Sequence, residues 1–90
     1  MNFEWDEDKA FQNKRKHRVS FSEASTAFGD PMHLSMPDPD HSEDEARFLL
    51  LGRTFTGRLV VVVFTDRGET TRIISARLAS RSERMTYEDG

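Results

Sequence analysis

The longest uninterrupted apolar run in the chain is LVVVVF at 59–64. Residues 60–63 are apolar on both faces of any strand they form, which places that strand at the centre of a sheet. Strand patterns flank it on both sides. Residues 46–53 (ARFLLLGR) precede it across TFTG, and residues 70–78 follow it across DRGE. Residues 32–36 allow one more strand ahead of a turn-rich acidic loop, PDPDHSEDE, and FEW at 3–5 is a short strand or extended entry.

Polar residues mark the helices. Asp6 suits an N-cap; acids at 7 and 8 and bases at 14–18 complement the dipole of a helix over 7–17, with Trp5 and Ala10 at the staple positions around the cap. Ser20 and Glu23 form a capping box for a short second helix, which GDP stops near Phe28. Ser80 and Glu83 form another for a helix running to about Asp89. The order predicts an α+β domain: N-terminal helices packed on an antiparallel three- to four-stranded sheet, with a C-terminal helix. Ninety residues suit one domain over 1–90, with a core too modest for a large cofactor.

Composition narrows the chemistry. Without cysteine there is no disulfide, thiolate zinc site or cysteine nucleophile, and a reducing cytosol is suited. The acidic start MNFEWDEDK is no signal peptide, and the run at 59–64 is too short to span a bilayer, so a cytoplasmic protein is expected. His33 and His41, with Asp38 and Asp40, match no tight ligand spacing, so neither metal nor cofactor is expected.

Net charge is −3, from 13 basic and 16 acidic residues, which gives no global warrant for nucleic-acid binding. The distribution is local. Acids crowd residues 4–8 and 38–45; bases crowd 14–18 and 47–84, and ten of the 13 are arginine, the side chain suited to bidentate grips on phosphate. Centring the two hairpin turns on 55–56 and 67–68 sets Arg53 opposite Arg58 and Arg58 opposite Arg77. Three guanidiniums side by side then form either an oxyanion grip, with Arg81 and Arg84 nearby, or a set of solvent-exposed residues paired with Glu83, Glu88 and the acidic loop. His17 is the residue of the KRKHR run able to exchange a proton near neutrality. The phenylalanines look like core anchors, and among the aromatics only Tyr87 is placed to stack on a base or donate a proton, with core or partner contact the stronger reading for it.

Three blocks, FEWDEDKAFQNKRKHRVSFSEA, DPDHSEDEARFLLLGRTFTGRLVVVVFTDRG and RIISARLASRSERMTYE, in this order and spacing, resemble the BrnT family of ribonuclease toxins. The resemblance spans residues 3–88 and implies a compact RelE-like fold and RNA cleavage that halts growth. It also implies neutralisation by a BrnA-type antitoxin, in a heterotetramer that binds DNA through the antitoxin. The family motif falls on Lys9, Asn13, Lys16 and His17, and on Ser75, Arg77, Glu83 and Arg84. One position departs: Arg18 stands where the family usually has glycine, which unsettles the local turn and the aim of His17.

Metal-independent RNA cleavage must deprotonate a 2′-hydroxyl, stabilise the phosphate and protonate the leaving 5′-oxygen. In the toxin reading Arg72 and Arg77 contact the phosphate and His17 moves a proton. Lys9, Lys16, Arg53, Arg58, Arg81 and Arg84 position the RNA, with Glu83 and Tyr87 in support. Strand alternation puts Arg72 and Arg77 on opposite faces. The alternative is a non-catalytic interaction module whose arginine patch binds an acidic partner protein.

Overall fold

Three short side chains start the three helices. The computed structural model of the chain describes residues 1–39 and 46–90. Asp6 heads α1 (Glu7–His17), accepting from the backbone N–H of Asp8 at 2.8 Å and Lys9 at 3.1 Å. Ser20 heads α2 (Phe21–Thr26), accepting from the N–H of Glu23 at 3.0 Å. The reciprocal half of that expected box is missing, because the Glu23 carboxylate turns to the first hairpin instead. Ser80 heads α3 (Arg81–Asp89), and there the box is complete: Glu83 also accepts from the N–H of Ser80 at 2.8 Å. A single 3-10 turn, Ala27–Gly29, extends α2.

The strands are β1 (Asn2–Glu4), β2 (Leu34–Pro37), β3 (Phe48–Arg53), β4 (Leu59–Arg67) and β5 (Thr70–Leu78). They form one sheet in the order β1-β5-β4-β3-β2, with β4 at its centre as the apolar run predicts. The sheet corrects the expected architecture in two ways. Among the described residues it has five strands rather than three or four, and it is mixed, since β1 lies parallel to β5 with Phe3 opposite Thr71. A three-residue strand carries too little local pattern to reveal its partner across the whole chain.

The hairpin registers also differ from expectation. Arg53 faces Leu59 rather than Arg58, and Arg77 faces Val61 rather than Arg58. In the first turn the N–H of Thr54 donates to the Arg58 carbonyl at 2.8 Å and Gly57 takes φ 89°, so Arg58 precedes β4. The second turn holds Gly68 at φ 66° and pairs Arg67 with Thr70, one residue later than expected. A β-bulge adds a further shift: Val63 pairs with Ser75 and Phe64 with Ile73, leaving Ile74 without a partner on β4.

That bulge decides which residues share a face. Ile73 and Ala76, three apart, both enter the core beneath α1 and α2, with Val19, Phe21, Ala24, Val60, Val62 and Phe64. Alternation on either side of the bulge therefore puts Arg72 and Arg77 on the same, opposite face, where strict alternation had separated them. This second face carries a smaller cluster, Leu51, Leu59 and Val61, packed by Leu34, Leu49, Ala79 and Tyr87.

Candidate functional site

β1 pairs with β5 at Thr70, Thr71 and Arg72, so among the described residues the rest of that strand edge has no neighbouring strand. α1 closes it with one side chain. The buried amide of Asn13 donates to the Ala76 carbonyl at 2.8 Å and accepts from the Ala76 N–H at 3.1 Å, as a peptide of a further strand does. The same amide donates to the Val19 carbonyl at 3.1 Å, tying down the chain after α1.

Anchored this way, α1 and the bulged part of β5 border an open surface hollow of about 250 Å³ lined by Lys9, Gln12, Asn13, Lys16, His17, Ile74 and Ser75. Positions 9, 13, 16 and 17 lie on one face of a helix, which is why they converge. Lys9 and Lys16 are exposed and His17 is half-buried; among the described residues none of the three takes a side-chain hydrogen bond or ion pair. His17 ends α1, and Arg18 behind it holds the left-handed conformation, φ 60° and ψ 28°. The turn that a glycine would favour is thus made with arginine, and the Arg18 carbonyl accepts from Arg58 at 2.9 Å.

The arginines do not gather into one grip. Arg58 and Glu23 form an ion pair in which Nε donates to the carboxylate at 2.9 Å, while the Thr54 and Thr56 hydroxyls donate to it at 2.7 Å each. The hydrogen bonds from Arg58, above all, hold the Glu23 carboxyl down at about 2, against the pull of its burial. Arg72 donates to Glu4 of β1 at 2.7 Å, and Arg67 lies 3.9 Å from the same carboxylate. Arg77 grips Glu83 with both terminal nitrogens, at 2.8 and 2.9 Å, and that pairing lowers the Glu83 carboxyl to about 2. Arg72 and Arg77 share a face but stand five residues apart, on the order of 15 Å along a strand.

Arg53 joins a third cluster. Its guanidinium lies over the Tyr87 ring, 5.3 Å from the centroid, and its N–H donates to Asp30 at 2.8 Å. The Tyr87 hydroxyl donates to the same carboxylate at 2.6 Å. Burial opposes ionisation of Asp30, but the Tyr87 hydroxyl and the N–H groups of Arg53 and Met32 hold its pKa below the ordinary range. Tyr87 is thereby a bracket between α3 and β3. Arg81 and Arg84 are exposed on α3 and form no ion pair among the described residues.

Of the residues singled out in the sequence, the fold brings together Lys9, Lys16 and His17 with Asn13 and Ser75, and disperses the arginines. Of the partners of those arginines, Glu4 carries no local signal beyond its charge, and the capping signal of Glu23 points to Ser20 rather than to Arg58. Gln12 and Ile74 were also not singled out: Gln12 reaches the hollow by helical phase, Ile74 through the bulge. His33 directs Nδ1 at the Asp30 carbonyl, 2.8 Å away; Asp40 and His41 lie outside the described residues. Among the described residues no three histidine, aspartate or glutamate side chains are grouped to hold a metal, and no helix is long and apolar enough to cross a membrane.

Comparison with known proteins agrees with the resemblance read from the sequence. A family model described as the ribonuclease toxin BrnT of type II toxin–antitoxin systems matches residues 5–83. The crystal structure of the Brucella abortus ribonuclease toxin BrnT is similar in fold, with a TM-score of 0.66 at 24% identity, covering 90% of this chain and 99% of that one. No curated protein matches the chain.

Proposed function

This chain belongs to the BrnT family of ribonuclease toxins of type II toxin–antitoxin systems, and we propose that it cleaves RNA in the hollow between α1 and β5. The observation that supports this placement is the contrast in charge use. Among the described residues Lys9, Lys16 and His17 converge without side-chain partners, whereas Arg58, Arg72 and Arg77 are matched by carboxylates.

In this reading His17 takes the proton of a 2′-hydroxyl, and the freed oxygen attacks the adjacent phosphorus. The ammonium groups of Lys9 and Lys16 balance the added charge on the phosphate oxygens, and one of them returns a proton to the departing 5′-oxygen. The products are a 2′,3′-cyclic phosphate and a 5′-hydroxyl. Every atom transferred comes from RNA or these side chains, so metal independence is part of the proposal. Ser75 borders the hollow on the strand side. Arg77 lies one residue beyond Ala76, on the other face of the strand and outside the lining of the hollow, so in this reading RNA reaches its guanidinium only by displacing Glu83.

Membership of a type II family implies a protein antitoxin and an RNA target. We extend the proposal to a BrnA-type antitoxin in a heterotetramer, to arrested translation and growth, and to a scaffold of the RelE type. Incubating the purified protein with total RNA in EDTA tests the core of it. Cleavage that leaves cyclic phosphate ends and is lost in His17→Ala and Lys16→Ala supports the site. Cleavage unchanged in both variants places the chemistry elsewhere.

A further inference from the structure

α1 turns a second, different surface to solvent. Phe3, Phe21, Phe28, Phe48 and Phe64 pack in the core, as expected of phenylalanine here, but Phe11 is 65% exposed in the middle of a basic helix. The Arg15 guanidinium lies over its ring, 5.8 Å from the centroid. Phe11 and Arg15 form one wall of a broad hollow completed by Lys14 and Arg18. A second hollow, lined by Phe11, Gln12, Arg15 and Lys16, joins it to the Lys9–His17 site through Gln12 and Lys16, which border both. Among the described residues no carboxylate lines any of the three.

The result is one basic track around α1 with an aromatic ring at one end and a proton-transfer residue at the other. From Phe11 to His17 the helix rises about 9 Å. A single strand covers that distance within a few nucleotides. An exposed aromatic ring in a cationic groove is what single-stranded nucleic acid uses: phosphates follow the charge and a base stacks on the ring. Among the described residues Phe55, also exposed at a hairpin tip, has no cation over its ring and lines none of these hollows.

We infer that Phe11, backed by Arg15, is a stacking platform for a nucleobase of the RNA strand whose scissile phosphate lies beside Lys16 and His17. This rests on the ribonuclease reading and deepens it: the substrate is single-stranded near the cut, and a base within a few nucleotides of the cleaved bond is held by its face rather than by its edge. Selection at that position therefore follows stacking strength, with purines favoured over pyrimidines.

The test uses a single-stranded 2′-O-methyl oligonucleotide, which binds without being cut, and a set of versions each lacking one base. Phe11→Ala is expected to weaken binding of the intact strand roughly tenfold, while Phe11→Trp preserves it and shows quenched indole fluorescence on binding. One base deletion should weaken wild-type binding by a similar factor and add nothing in Phe11→Ala. Undiminished binding by Phe11→Ala overturns the inference alone. So does a variant that keeps its RNA affinity but loses a co-expressed antitoxin, which assigns the ring to a protein partner. Wild-type protein that binds no oligonucleotide overturns the ribonuclease reading and this inference together.

Discussion

The side chain of Asn13 stands in for a peptide: its amide both donates to and accepts from the backbone of Ala76, at 2.8 and 3.1 Å. A third hydrogen bond reaches Val19, so three backbone groups depend on one residue. Asn13→Ala leaves them without a partner in a buried setting and is expected to cost about 2–4 kcal/mol. Asn13→Asp keeps the shape but cannot donate to the two carbonyls, and is expected to be no better. Urea unfolding of the three proteins decides it; an Asp variant as stable as wild type removes the amide's donor role.

His17 and Arg58 should separate activity from stability. His17 has no internal side-chain partner among the described residues, so His17→Ala is expected to lower RNA cleavage about 10²–10⁴-fold with little change in melting temperature. Arg58 holds Glu23 and the Arg18 carbonyl, so Arg58→Ala is expected to lower the melting temperature while the folded fraction still cleaves. Melting curves beside cleavage rates check both. The reverse pattern would move the site to the hairpin end.

Arg18 is the described non-glycine residue at positive φ, and Gly57 and Gly68 take the other two such positions. A side chain costs on the order of 1 kcal/mol in that conformation. Arg18→Gly is therefore expected to stabilise the protein by about that amount, raising the melting temperature by roughly 4–8 °C. The bond from Arg58 survives the change because it uses the backbone carbonyl. A lower melting temperature would show that the Arg18 side chain contributes more than its conformation costs.

Acid should loosen the fold through two carboxylates. Glu23 and Glu83 are both lowered from 4.5 to about 2, chiefly by hydrogen bonds from Arg58 and Arg77. A depressed carboxyl contributes stability that is complete above its unfolded value and is lost as pH falls toward the folded one. The loss thus falls between about pH 4.5 and 2. The Glu23 side chain is 13% exposed against 31% for Glu83, so solvent screens the second pair more. Melting temperatures measured across that range should fall less steeply in Glu23→Gln than in Glu83→Gln. Equal slopes would mean the two pairs are equally screened.

Local chemistry made most of the fold legible. Asp6, Ser20 and Ser80 cap the helices they were expected to cap, because a cap depends on the next three residues and little else. The doubly apolar run became the central strand, because only a strand covered on both faces hides such a run from water. The basic face of α1 that lines the candidate site follows from helical spacing alone.

Tertiary packing decided what distance along the chain concealed. β1 finds β5 across some seventy positions, as Asn2 opposite Thr70 shows, and nothing in three residues announces that choice. The bulge at Ile74 reverses the phase of half a strand and moves Arg72 onto the face of Arg77, a one-residue effect that periodicity cannot foresee. Charge patterning showed an excess of arginine on the strands but not its destination. Glu4, Glu23 and Glu83 took those guanidiniums because the fold brought carboxylates within reach, and among the described residues Lys9, Lys16 and His17 of α1 were left unpaired around the hollow.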